Sequence, residues 1–115
     1  MPELSEAQRR ELEALRHAYE LELSEKVTAI ARTAAGLERA PWGTADMQAL
    51  HHLVHRLAGS SAIWGYTTVS KLAGELEDLV LSALQGTRGR TDDLSGEVRR
   101  LLEALLHAVL APRAP

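Results

Sequence analysis

The sequence predicts an all-α chain folded as an up-down antiparallel four-helix bundle with an N-terminal helical extension. Three observations predict it. Leucine and alanine recur at steps of three and four along most of the 115 residues, and no stretch shows sustained period-2 alternation. Short glycine- or proline-containing breaks divide the apolar pattern into four segments. Short connections between long amphipathic helices make successive helices antiparallel neighbours.

Ser5 is placed to cap the first helix, with Gln8 as its capping-box partner. Leu12, Leu15, Tyr19, Leu23, Val27, Ile30, Ala34 and Leu37 then form one apolar stripe reaching about Glu38. That length predicts a break or kink between Glu20 and Ser24. Pro41-Trp42-Gly43 is the first loop, and Thr44 caps a second helix with Asp46 favourably placed in its first turn. This helix ends near Ile63 or Trp64, with Gly65 as its C-terminal glycine. Thr67 caps a third helix whose inward stripe is Val69, Leu72, Leu76, Leu79, Val80 and Ala83, and Gly86 ends it. Gly86 to Arg90 is a basic turn. Thr91, with Asp92 and Asp93, starts the fourth helix, in which Leu94, Val98, Leu101, Leu102, Leu105 and Val109 face inward. The whole of 1–115 reads as one domain, with a core of about 15–110 and a frayed tail over 111–115.

Composition narrows the function classes. A hydrophobic content of 45% suits one core, and 25% charged residues argue against wholesale disorder. The chain has no cysteine, which excludes disulfides and thiolate metal sites. A net charge of −3 gives no electrostatic reason to expect nucleic acid as a partner. No apolar run is long enough to span a bilayer, and the start, Met1-Pro2-Glu3-Leu4-Ser5-Glu6, is not signal-like. A cytoplasmic protein without membrane contact is the expectation.

The chemistry concentrates on the second helix. At about 100° per residue, Leu50, Leu53, Val54, Leu57 and Trp64 share a core face and His55 falls almost directly opposite. His51, Gly59 and Ala62 run beside His55, flanked by His52 and Ala58. Imidazoles among small side chains, where Lys, Glu and Arg are usual, mark a face cleared for a partner to dock. Gly59 within a helix costs about 1 kcal/mol relative to alanine, which points to close approach. His51 and His55 have the i, i+4 spacing that can hold zinc, but no Glu lies between them and His17 and His107 are scattered, so no metal site is expected. Ser60 and Ser61 are candidates for helix packing or local hydrogen bonds.

Residues 55 to 65, His-Arg-Leu-Ala-Gly-Ser-Ser-Ala-Ile-Trp-Gly, resemble the signature of histidine-containing phosphotransfer (HPt) domains of two-component phosphorelays. Leu57, Gly59, Ser60 and Gly65 match that pattern, Leu76-Glu77 matches the family's Leu-Glu pair on the next helix, and Tyr19 sits where the first helix often has an aromatic. Many members carry lysine three residues after the histidine; this chain has Ala58.

The resemblance implies that His55 accepts a phosphoryl group from a receiver-domain aspartate and passes it to another receiver. Gly59, Arg56, Ala58, Ala62 and His51 would lie in or around the docking surface, with Leu57, Ser60, Ser61 and Gly65 structural. Imidazole is largely neutral at pH 7, so the attack needs no further base. The implied partners are receiver domains and hybrid sensor kinases. The chain itself would bind no cofactor, Mg²⁺ residing on the receiver, and would act as a monomeric carrier rather than an enzyme. The competing reading is a non-phosphorylated interaction module that binds receivers or kinases, and Ala58 is the residue it rests on.

Overall fold

A computed structural model of the chain describes residues 3–39, 44–86 and 92–110. Four helices follow in order, α1 (Glu6–Arg39), α2 (Thr44–Ile63), α3 (Thr67–Gln85) and α4 (Asp92–Leu110), with no strand among the described residues. Each packs on the next and α4 closes on α1, giving a four-helix ring. Tyr19 meets Ser60 while Ala29 shares a groove with Leu53, so α1 and α2 run in opposite directions. Ala58 meets Ser70 and His55 meets Glu77, so α2 and α3 do too.

Helix α1 starts on the expected capping box: the Ser5 amide donates to Gln8 Oε1 at 2.9 Å, and the Gln8 amide to Ser5 Oγ at 3.1 Å. It then continues for 34 residues without the break expected between Glu20 and Ser24. The interior stripe of Tyr19, Leu23, Val27, Ile30 and Ala34 is buried along the bundle, and that packing holds the long helix together. At about 1.5 Å per residue, α1 accounts for the 53 Å long axis of the molecule. The other helices are 19 or 20 residues long, so α1 overhangs them. Leu12 and Leu15, expected on the buried stripe, lie on this overhang and are exposed, Leu15 at 59%.

The bundle is closed at that level by aromatic rings. Trp64 and Tyr66 each lie 5.7 Å from the Tyr19 ring, Trp64 stacked and Tyr66 tilted. They sit in the α2–α3 turn, which is built on Gly65. Its φ of +80° is open to glycine at little cost. The Gly65 amide donates to Ala62 O and the Tyr66 amide to Ser61 O, the Schellman pattern that satisfies the last helical carbonyls. Thr67 does not cap α3. Tyr66 precedes the helix with no side-chain cap, because the turn is so short that the cap position falls on a residue already anchored to α1. The Tyr66 hydroxyl donates to Glu20 at 3.2 Å.

The core joins the α1 stripe to Met47, Leu50, Val54 and Leu57 of α2, Val69, Ala73, Leu76 and Val80 of α3, and Leu94, Val98, Leu102 and Leu105 of α4. Leu101 and Val109, expected inward, pack on its edge. Gly86 ends α3 in the left-handed conformation as expected. The expected Pro41-Trp42-Gly43 loop, the caps at Thr44 and Thr91, the rest of the Gly86 to Arg90 turn and the tail over 111–115 fall outside the described residues or side chains.

Candidate functional site

The buried stripe of α2 is Met47, Leu50, Val54, Leu57 and Ser61. It is rotated from the face the sequence suggested. Leu53 and Trp64 are only half-buried, whereas Ser61 is fully buried. A buried serine is tolerated because its Oγ donates to Leu57 O at 2.6 Å. The rotation moves the centre of the exposed face to His52, Gly59 and Arg56. His55 is therefore not opposite the core but turned toward α3. Its side chain remains 66% exposed.

That turn gives His55 a partner. Its Nδ1 is hydrogen-bonded to the Glu77 carboxylate of α3. Leu76 is buried in the core, and the next residue, about 100° further round the helix, faces α2. An ionised carboxylate can only accept; paired with one, a neutral imidazole carries its proton on Nδ1 and keeps the lone pair on Nε2. The arrangement presents an exposed nitrogen nucleophile whose tautomer is fixed from behind.

His51, one turn earlier, stacks beside His55 with ring centroids 6.1 Å apart and an interplanar angle of 15°. Its Nε2 lies 3.5 Å from the same Glu77 oxygen. No group of three His, Asp or Glu among the described residues is arranged to hold a metal ion.

Around these groups the surface is low. A Cβ built on Gly59 meets no atom within 4 Å, and its φ is not positive. Neither internal packing nor backbone geometry requires glycine there, so the clearance faces outward. Ala62 is exposed beside it, and Ile63, 82% exposed, extends the same face by one turn. Ala58 is half-buried, with its carbonyl accepting from Ser70 Oγ at 2.9 Å.

On the α1 side, Ser60 Oγ bonds Tyr19 Oη at 2.9 Å and accepts from Lys26 Nζ at 3.3 Å. Lys26 also lies over the Tyr19 ring, 5.3 Å from its centroid. Exposed Arg56 borders a groove of about 300 Å³ shared with Glu22, Glu25, Lys26, Ala29 and Leu53. Arg56 and Lys26 thus flank the face from the side away from Glu77.

Sequence reasoning quoted Glu77 as a matching residue but gave it no role, and it missed Gly74. Gly74 lies almost one turn before Glu77 on α3 and is half-buried, and a Cβ there also meets nothing within 4 Å. The available signal was the phase of α3: burying Leu76 and Ala73 turns Glu77 and Gly74 toward the same edge.

The family model of the Hpt domain matches residues 3–111, nearly the whole chain. The chain belongs to the Hpt family. Hpt domains serve phosphotransfer in two-component phosphorelays, as carriers rather than enzymes in the usual sense, and interact with receiver domains and kinases. No curated protein is similar enough to this Hpt domain to count as a relative. None of its described helices is long and apolar enough to cross a membrane.

Proposed function

We propose that His55 is the phosphoacceptor of a multistep phosphorelay, taking a phosphoryl group from a receiver aspartyl phosphate and passing it to another receiver. The pairing of exposed His55 with Glu77 is the observation that carries this reading. The Nε2 lone pair forms the N–P bond as the acyl-phosphate O–P bond breaks, and the aspartate leaves as carboxylate. The Nδ1 proton stays in place, so the ring becomes cationic as the bond forms. The Glu77 carboxylate stabilises that charge, as a carboxylate does behind any imidazole that becomes positive. Back-transfer reverses each step.

This chain contributes the nucleophile and its orientation. Charge neutralisation on the phosphoryl oxygens falls to the receiver, whose Mg²⁺ and lysine act at the transferring group. Gly59, Ala62 and Ile63 form the docking face, with Arg56 at one rim and His51 and Ala58 at the other. Close approach across Gly59 brings the reacting atoms to the roughly 3–3.5 Å that in-line transfer needs. A monomer that carries the group between partners is sufficient for this chemistry.

The test is transfer from radiolabelled receiver domains of the same organism to the wild type and to His55→Gln. Acid-labile, base-stable label on the wild type alone supports the reading. The second reading, a non-transferring interaction module, rests on Ala58, which places no cation on the α3 side of His55. Receiver binding without label from any competent receiver would establish it and overturn the first.

A further inference from the structure

His51 has no role in the chemistry described so far, yet its ring is held at the centre of it. The side chain is largely buried, 27% exposed, and its Nε2 is shielded from solvent with no hydrogen-bond partner. That nitrogen faces the Glu77 carboxylate at 3.5 Å, toward the same oxygen that accepts from His55 Nδ1. A lone pair on Nε2 would oppose those of the carboxylate in a poorly hydrated position, so Nε2 carries the proton. Movement of about half an ångström brings the pair to ordinary hydrogen-bond length. One carboxylate oxygen has lone pairs for both donors.

Resting on the assignment of His55 as acceptor, we propose that His51 is a positioning residue for phosphoryl transfer: it donates from Nε2 to Glu77 and holds the carboxylate against His55 Nδ1. Glu77 reaches α2 from another helix on a flexible side chain that is itself 21% exposed. With one donor the carboxylate is free to swing toward water. With donors on two successive turns of α2, its position over that helix is fixed. The parallel ring stacking of His51 on His55 restrains the two imidazoles together. His51 therefore acts through Glu77 on the tautomer of His55, without touching the transferred group.

The experiment reads the His55 tautomer by long-range ¹H–¹⁵N NMR and, in parallel, single-turnover uptake from a labelled receiver. It uses the full chain as wild type, His51→Leu, His51→Gln, Glu77→Ala and the double variant His51→Leu/Glu77→Ala. The wild type is expected to show His55 mainly protonated on Nδ1. His51→Leu is expected to shift the ring toward the mixed tautomers of free imidazole and to slow uptake about three- to tenfold. His51→Gln, whose amide N–H reaches the place of Nε2, is expected to retain both properties. In the Glu77→Ala background, where no acceptor is left for either imidazole, His51→Leu should add nothing. An unchanged tautomer in His51→Leu overturns the proposal even if uptake slows, and so does an equal effect in the Glu77→Ala background. Absence of uptake by the wild type overturns the acceptor assignment instead, while the tautomer measurement still judges the His51–Glu77–His55 linkage.

Discussion

Glu77 on α3 is hydrogen-bonded to Nδ1 of His55 on α2, and under the proposed transfer this one pairing across two helices decides which imidazole nitrogen meets the partner. The two residues are 22 apart in sequence. They are brought together by the most extensive helix contact in the bundle, where Leu50, Val54 and Leu57 pack with Ala73, Leu76 and Val80. The core thereby fixes the register of a surface pair. Reactivity at His55 depends on packing that His55 does not share in.

Replacing Glu77 tests that dependence directly. In Glu77→Gln the amide oxygen can still accept from Nδ1, so the tautomer survives, but the charge opposing the cationic ring is lost. Phosphoryl uptake should fall about tenfold, equivalent to ~1.4 kcal/mol of barrier, and more in Glu77→Ala. Helicity by circular dichroism should be unchanged in both, because Glu77 is not part of the core cluster. An uptake rate equal to wild type in Glu77→Ala would show that the pairing has no chemical role.

Gly59 should give opposite signs in stability and in transfer. A methyl group there meets nothing within 4 Å, so Gly59→Ala gains helix propensity of up to about 1 kcal/mol. The same methyl group stands on the proposed docking face and should slow uptake, with Gly59→Leu slowing it further. Gly96 on α4 is the control, being exposed with equally open space around it. Gly96→Ala should match the gain in thermal midpoint and leave transfer unaltered. Equal transfer by Gly59→Leu and wild type would remove Gly59 from the docking face.

The four helices were legible in the sequence because local signals mark their ends, the Ser5–Gln8 box, Gly65 and Gly86 among those described. What eluded it was phase and reach. Counting Leu53 and Trp64 as core set the α2 wheel wrongly, since a leucine at a helix edge and a fully buried Ser61 look the reverse of what they are. Leu12 and Leu15 continue the α1 stripe without a break in pattern, and only the lengths of the other helices show that they outrun the bundle. Thr67 has the chemistry of a cap, but the Gly65 turn gives that position to Tyr66. The role of Glu77 depends on register between helices, which no single-helix periodicity contains.

Gly65 carries a conformational demand that Gly59 does not. At φ +80° an alanine side chain is strained, so Gly65→Ala should cost about 1–2 kcal/mol and lower the thermal midpoint by several degrees. Gly65 lies ten residues beyond His55, about 15 Å along the helix axis, so uptake by the folded variant should stay near wild type. A midpoint unchanged within error would mean that the Schellman turn is not required for stability.

Tyr19 makes the pH dependence of stability testable. Its hydroxyl is held above the usual tyrosine pKa, chiefly by burial, with the Glu22 charge adding to the rise and the Ser60 hydrogen bond opposing it. A tyrosine raised in the folded state retains its proton where the unfolded chain has lost it. Its stabilising contribution is therefore intact below the unfolded value, near 10, and is lost as pH climbs through the higher folded value. Tyr19→Phe removes this titration together with one hydrogen bond to Ser60 at 2.9 Å, a loss of about 0.5–1.5 kcal/mol at neutral pH. Urea midpoints from pH 7 to 11 should then show the variant less stable at pH 7 but declining less steeply above pH 10. Parallel curves would mean that ionising Tyr19 costs the fold nothing, and that the Tyr19–Ser60 contact is open to water.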